Sequence, residues 1–363
     1  MPHLASLTSL RFFAALSIAL FHFQGIGFGA PYEPLALGVS FFFVLSGFVL
    51  TYAYGGRGDV KMRSFFVNRL ARIWPVHLVT AGLALWMFSP GMVFDVNWYP
   101  YVLTNLFMLH AWVPQAGYVF SLNAVTWSIS AEMAFYAAFP LVLVAKRPVV
   151  AFAVILAATM AAVCLPNLAV RQVLTDAWAF SPQALIQQHP VIRFAEFAAG
   201  VMLGRAWLSG FRLRLSPQIM TLAEICAIAL VVLYAVTVLP LRAVVPPAGQ
   251  QFALWYSQSG GFVWFVALIF VFAHQKGAIS RSLAHPVMIR LGEASFSFYM
   301  VHLLVMMWAQ RNGWVESMGF GKAGSAIAIL SFAGAFVLWR GIEVPMQRII
   351  VGRSKRRRVA IAV

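Results

Sequence analysis

Apolar runs long enough to cross a bilayer recur along nearly the whole chain, separated by short polar stretches that carry most of the arginines. A run of about 18 or more apolar residues marks a transmembrane helix. The pattern predicts spans at 7–25, 36–55, 73–92, 127–145, 148–166, 190–208, 218–239, 255–274, 291–310 and 323–345. One further apolar stretch, 98–112, is ambiguous by length. The two-residue alternation of a membrane β-barrel is absent. The fold expected is an all-α polytopic membrane protein, a bundle of about ten transmembrane helices. Residues 1–350 form its membrane domain and 351–363 a basic tail.

Composition agrees. The 363 residues are 62% hydrophobic and only 10% charged, against about 25% charged in soluble domains. A formal charge of +16 would suit nucleic acid if it were gathered in one patch. Here the Lys and Arg residues fall between the spans, which encodes orientation instead. Arg57, Lys61, Arg63, Arg69 and Arg72 share one loop. Lys146, Arg147, Arg205, Arg212, Arg214, Lys276, Arg281, Arg290 and the tail follow it at alternate connections. Ten crossings with both termini cytoplasmic put all of these inside, and leave Arg171, Arg242, Arg311 and Lys322 outside. A full crossing at 98–112 would break that bias, so this segment is expected to be re-entrant or to lie at the outer face. The basic tail is expected to rest on anionic lipid. No cleavable signal peptide is expected, because no basic region and cleavage site follow Met1. Cys164 and Cys226 sit in apolar segments and are expected to pack there rather than to form a disulfide or a metal pair.

The chemistry is carried by ionisable residues inside these spans, where burial is costly and a functional role is the default expectation. Arg11 and His22 lie in the first span, eleven residues apart. That is about three turns, so they share a helix face roughly 16 Å apart along the axis. Ser46 and Gly47 permit close helix packing in the second span. Arg69 and Arg72, three apart, can grip one anionic group together on a helix, and Pro75 fits a helix start or a kink. Glu132 opens the fourth span and should be neutral or paired. Arg193 and Glu196, also three apart, are expected to pair with each other. Glu293, Ser295, Tyr299 and His302 share the ninth span; His302 is either a structural hydrogen-bonding group or part of a polar path. Glu343 closes the last span, placed to answer Arg340 or Arg11. His110 is expected at the outer surface as an interfacial histidine. His3, His189, His274 and His285 carry little signal. No spacing proposes a metal site, and no phosphate-binding loop or dinucleotide fingerprint appears.

Taken in order, these pieces resemble the membrane-bound acyltransferase family 3. The matching features are Arg-x10-His (Arg11, His22), Phe-Phe-x-x-Ser-Gly-Phe (Phe42 to Phe48) and Arg-x-x-Arg (Arg69, Arg72) with Pro75. Trp-Ser-x-Ser-x-Glu (Trp127 to Glu132) and Ser-x-x-x-Tyr-x-x-His (Ser295, Tyr299, His302) complete the set. They span about residues 5–350. Each motif is weak alone; five in order are specific.

The resemblance implies a multi-pass protein of the bacterial cytoplasmic (inner) membrane that moves an acyl group, most often acetyl from acetyl-CoA. The acceptor it implies is a hydroxyl of a carbohydrate, such as exopolysaccharide, O-antigen or a lipid-linked sugar. Polysaccharide-synthesis proteins are the partners that would go with it. A fused esterase domain, which some members carry, is not expected here. The implied catalytic set is His22, Arg11 and Glu132. The donor-binding set is Arg69, Arg72 and Ser46. Tyr299, His302, Glu293 and Glu343 form a polar path. Histidine suits acyl transfer to a hydroxyl because its pKa lies near 7. His22 is then base or transient acyl carrier, and Ser46, Ser130 or Tyr299 steadies the thioester oxygen. Acylation of a small natural product, a glycan or acyl-lipid transporter, and a non-catalytic sensor or scaffold are the competing readings. The inverted repeat common in transporters is not evident.

Overall fold

A computed structural model describes residues 4–25, 32–56, 62–88, 95–164, 179–246 and 249–361, with side chains to Gly352. Among them the chain is mostly helical, and the only extended pairing is an isolated bridge between Gln115 and Phe180. Helix α1 (Ala5–Gly25) comes first. A 3-10 turn at Glu33–Leu37 leads directly into α2 (Gly38–Tyr54). Next come α3 (Met62–Phe88) and the short α4 (Tyr99–Leu106) and α5 (Ala116–Val119). Helices α6 (Trp127–Leu143), α7 (Pro148–Cys164), α8 (Pro182–Gln188), α9 (Pro190–Leu208) and α10 (Pro217–Ala243) follow. A π turn at Tyr256–Gly260 joins α11 (Gln250–Trp255) to α12 (Phe262–Ala273). Then come α13 (Ala278–Leu283), α14 (Pro286–Arg311) and α15 (Trp314–Met318). A second π turn, Trp339–Glu343, joins α16 (Phe320–Leu338) to α17 (Val344–Ile361).

Local chemistry sets several helix starts. Proline at the first helical position needs no hydrogen-bond partner and already has the helical φ. It follows Ser181 at α8, His189 at α9, Ser216 at α10 and His285 at α14, each of which caps a backbone N–H. His189 and His285 therefore have a structural use. His274 accepts from the Leu213 amide. His3 lies outside the described residues.

All ten expected spans fall on helix in their described residues; 89–92 and 165–166, like Arg57, Lys61 and Arg171, lie outside those residues. Among the described residues, eight helical stretches are long and apolar enough to cross a membrane. The other two are α7, a 17-residue apolar helix, and α9, which carries Arg193, Glu196 and Arg205. Helix α9 lies inside the bundle, and Phe197, Ala198 and Val201 are completely buried. Its ion pair, Arg193 Nε to Glu196 Oε1 at 2.8 Å, confirms the expected pairing. The third span departs from expectation at its start. Helix α3 begins at Met62 and runs through Pro75, so Arg69 and Arg72 sit on a helix rather than in a loop. Segment 98–112 breaks into the eight-residue α4 and a 3-10 turn at His110–Trp112. Eight residues rise only about 12 Å, far short of the roughly 30 Å hydrocarbon core.

Two helix pairs form the frame, and in both a glycine lets backbones touch. A Cβ on Gly47 of α2 would lie 2.1 Å from the Phe197 carbonyl oxygen, and one on Gly200 of α9 would lie 2.0 Å from that of Val44. On α14, a Cβ at Gly292 would lie 1.9 Å from the Thr8 carbonyl oxygen of α1. Small residues serve this purpose in membranes because lipid offers no hydrophobic drive for helix association. Cys164 and Cys226 are free and face outward, which corrects the expectation that they pack inside. In lipid an outward apolar helix face carries no penalty.

Gly200→Ala is expected to destabilise the protein by about 1–3 kcal/mol or more, because the obstacle is backbone and cannot rotate away. Gly82→Ala, where nothing lies within 4 Å, should leave stability unchanged or slightly higher. Thermal unfolding midpoints in detergent compare the two.

Candidate functional site

Helices α1, α2, α3, α6 and α14 and the second π turn enclose a cavity of about 910 Å³. Its lining includes Arg11, Ser46, Arg69, Arg72, Glu132, Glu293, Tyr299 and Glu343. Eight of the ten residues singled out in the sequence thus meet around one space. The lining runs from exposed Arg290, Arg340 and Arg348 at one end to buried Phe43, Ser128 and Tyr299 at the other.

Each polar group has a sequence reason for its direction. Ser128, Glu132 and Tyr136 recur every four residues of α6 and share a face. Glu132 Oε1 accepts from Tyr136 Oη at 2.5 Å and from Ser46 Oγ at 2.9 Å. Ser46 adjoins Gly47, so the close contact of α2 with α9 on one side turns Ser46 toward α6 on the other. Arg69 and Arg72 reach the cavity from α3, and the buried Nε of Arg69 has no partner among the described residues. Glu343 is buried, and its Oε2 accepts from Ser297 Oγ at 2.7 Å. The expected ion pair of Glu343 with Arg340 or Arg11 does not form. The π turn widens the helix there and carries Arg340 outward over the Trp339 ring, 5.7 Å from its centroid. Among the described residues no cavity arginine lies within 4 Å of a carboxylate, and the two ion pairs present are Arg193–Glu196 and Arg242–Glu33.

His22 and His302 are not on the cavity wall. They meet each other instead, Nδ1 of His22 lying 2.9 Å from Nε2 of His302. Tyr299 stands between them and the cavity. It lines the cavity, and its ring lies 5.8 Å from that of His302. Its hydroxyl donates to the Val125 carbonyl at 2.8 Å and lies 2.8 Å from Ser128 Oγ.

Sequence reading assigned no role to Tyr136, Ser128 or Ser297. Their four-residue spacing from Glu132, and the hydroxyl-rich run Ser295 to Ser297, were the available signals. It also misplaced His110, which is fully buried rather than interfacial. His110 Nε2 lies 3.2 Å from Thr126 Oγ1. Beside it His77 Nε2 lies 2.8 Å from the Asn105 carbonyl oxygen, and Asn105 Nδ2 donates to Ser121. This network packs the α4 segment against the middle of α3. Its members lie far apart in the chain and form no spaced motif. Among the described residues no group of three or more His, Cys, Asp or Glu side chains is arranged to hold a metal.

Residues 4–340 match the family described as Acyltransferase domain. The chain is similar to Acyltransferase MdmB of Streptomyces mycarofaciens, with 29% identity across 99% of this chain and 95% of that protein. It is similar to Exopolysaccharide production protein ExoZ of Rhizobium meliloti, with 26% identity across 89% of this chain and 92% of the relative. A Staphylococcus aureus protein with an O-acetyltransferase name is 22% identical over 84% of this chain and 51% of its own length. No solved structure matches.

His110 gives the fold a pH dependence of its own. Burial, aided by nearby His77, pulls its pKa from 6.5 down to about 3. As pH falls below about 6.5 the unfolded chain takes up a proton that the folded chain refuses. Stability is then lost at about 1.4 kcal/mol per pH unit from this group. Between pH 7 and 5 the unfolding midpoint of His110→Asn is expected to fall less than that of wild type.

Proposed function

This chain belongs to the membrane-bound acyltransferase 3 family, and from that premise we propose that it transfers acetyl from cytoplasmic acetyl-CoA to a carbohydrate hydroxyl. The site is assigned to the bacterial inner membrane, with both termini cytoplasmic. The single observation that carries the reading is the cavity itself: an arginine-rich space whose far end is one side chain from a histidine pair.

Coenzyme A carries a pyrophosphate and a further phosphate at one end and a long neutral arm to the thiol. The wall offers Arg11, Arg69, Arg72, Arg290, Arg340 and Arg348 against Glu132, Glu293 and Glu343. Guanidinium groups grip phosphate oxygens bidentately. Arg290 and Tyr299 are nine residues apart on α14, about 14 Å along its axis, and His302 is about 18 Å away. An extended pantetheine arm spans such a distance. With the phosphates at the arginines, the thioester falls near Tyr299 and Ser128.

His22, beyond Tyr299, supplies the lone pair, so transfer requires the Tyr299 side chain to let the acyl group reach it. Used on the acceptor hydroxyl, it takes the proton as the oxygen attacks the thioester carbonyl, then returns it to the leaving thiolate. Used on the carbonyl first, it expels the CoA thiolate and carries the acyl group; the acceptor hydroxyl then attacks the acyl-imidazole, frees the ring and gives its proton to the thiolate. Arg69, Arg72 and Ser46 hold the donor, and Arg11 and Glu132 complete the catalytic set with His22. The carbohydrate acceptor is supported by the exopolysaccharide relative and by the aromatic outer segment. Tyr101 and Tyr118 sit 4.3 Å apart between centroids there, and Trp98 is 5.6 Å from Tyr101.

Hydrolysis and transfer of radiolabelled acetyl-CoA by the purified protein test this reading. His22→Ala is expected to lose activity by about 10²–10⁴-fold while eluting as a folded protein; retained turnover sinks the assignment. Arg69→Ala and Arg72→Ala should each raise the donor KM by about tenfold, the worth of one charge-assisted contact. A donor KM equal to wild type would remove the arginines from donor binding.

A further inference from the structure

We infer that His302 is a positioning residue that fixes the tautomer of His22, so that Nε2 of His22 is the nitrogen free to react. The inference rests on the proposed role of His22 and adds the group that prepares it. The hydrogen-bond partners decide the argument. His302 Nδ1 lies 3.2 Å from the Phe298 carbonyl oxygen, one turn back on α14. A carbonyl only accepts, so that nitrogen carries the proton. In a neutral ring Nε2 of His302 is then an acceptor. It faces His22 Nδ1 at 2.9 Å, so His22 must donate from Nδ1. The Ile18 carbonyl, one turn back on α1, also faces the His22 ring. The remaining nitrogen, His22 Nε2, keeps its lone pair and has no partner among the described residues.

This choice matters because imidazole in water prefers the opposite tautomer, with the proton on Nε2. Left to itself, much of His22 would present N–H where a base is needed. Hydrolases usually solve this with a carboxylate on the far nitrogen of the histidine. Among the described residues no carboxylate hydrogen-bonds either ring. A second imidazole selects the same tautomer without putting a negative charge into an apolar core, where desolvation is costly. The frame is rigid enough for the task. His22 and His302 sit on α1 and α14, the pair locked by the backbone contact of Gly292 with Thr8. The Phe298 ring stacks on His302 at 5.9 Å, with 21° between planes.

Two substitutions separate this role from simple packing. In His302→Asn the amide fits where Nδ1 was and keeps the Phe298 contact, but the side chain stops short of His22. In His302→Gln the side-chain oxygen reaches the place of Nε2 and can accept from His22. We expect kcat for acetyl-CoA turnover to fall about 10–10³-fold in His302→Asn, with donor KM unchanged. Most of that loss should be recovered in His302→Gln, and both variants should unfold near the wild-type temperature. Wild-type kcat in a folded His302→Asn, or a His302→Gln as impaired as His302→Asn, overturns the inference while leaving the proposed function standing. Full activity in His22→Ala overturns both.

Discussion

Where the backbones of α2 and α9 touch, at Gly47 and Gly200, no side chain fits between them. Much of the site follows from that contact. Helix α2 is drawn into the centre of the bundle, flanked by the two main hydrophobic clusters. Ser46, beside Gly47, then faces Glu132 on α6, and Phe42 and Phe43 shape the cavity's inner end. Helix α9 gives up its outward face and keeps Arg193 and Glu196 as an internal pair. Membrane proteins gain little from apolar association in lipid, so a close backbone contact carries weight that a soluble core would spread over many side chains.

A second arrangement follows in the polar interior. Glu132 is held by Ser46 and Tyr136, and Glu343 by Ser297. These carboxylates are satisfied by hydroxyls rather than by the arginines that share their cavity. The guanidinium groups therefore stay available for an anionic ligand. Had each Glu taken an Arg, only three of the six cavity arginines would remain without a carboxylate partner. The pair on α9 shows the alternative: Arg193 is bonded to Glu196 and to Ser40, away from the wall of this cavity.

The segment before α6 works differently. Segment 98–112 is broken into pieces too short to cross; it packs beside the middle of α3, where His77, Asn105 and His110 are buried. Such a contact is built from backbone carbonyls and neutral imidazoles. It is polar enough to be specific and uncharged enough to be buried.

The hydrophobic pattern alone determined the class of fold, ten helical segments and their approximate limits. It can do so because the bilayer demands long apolar helices with all backbone groups satisfied inside them. It also singled out Arg11, His22, Ser46, Arg69, Arg72, Glu132, Tyr299 and Glu343, since an ionisable or polar residue stands out against an apolar background. Pairing was decided only by the tertiary structure. His22 finds His302 from 280 residues away, Glu343 takes Ser297 rather than an arginine, and His110 is buried beside His77. Each outcome depends on how helices are rotated against one another, and that of Glu343 also on a π turn that shifts the register by a residue. Periodicity along one helix says which residues share a face; it does not say which helix that face will meet.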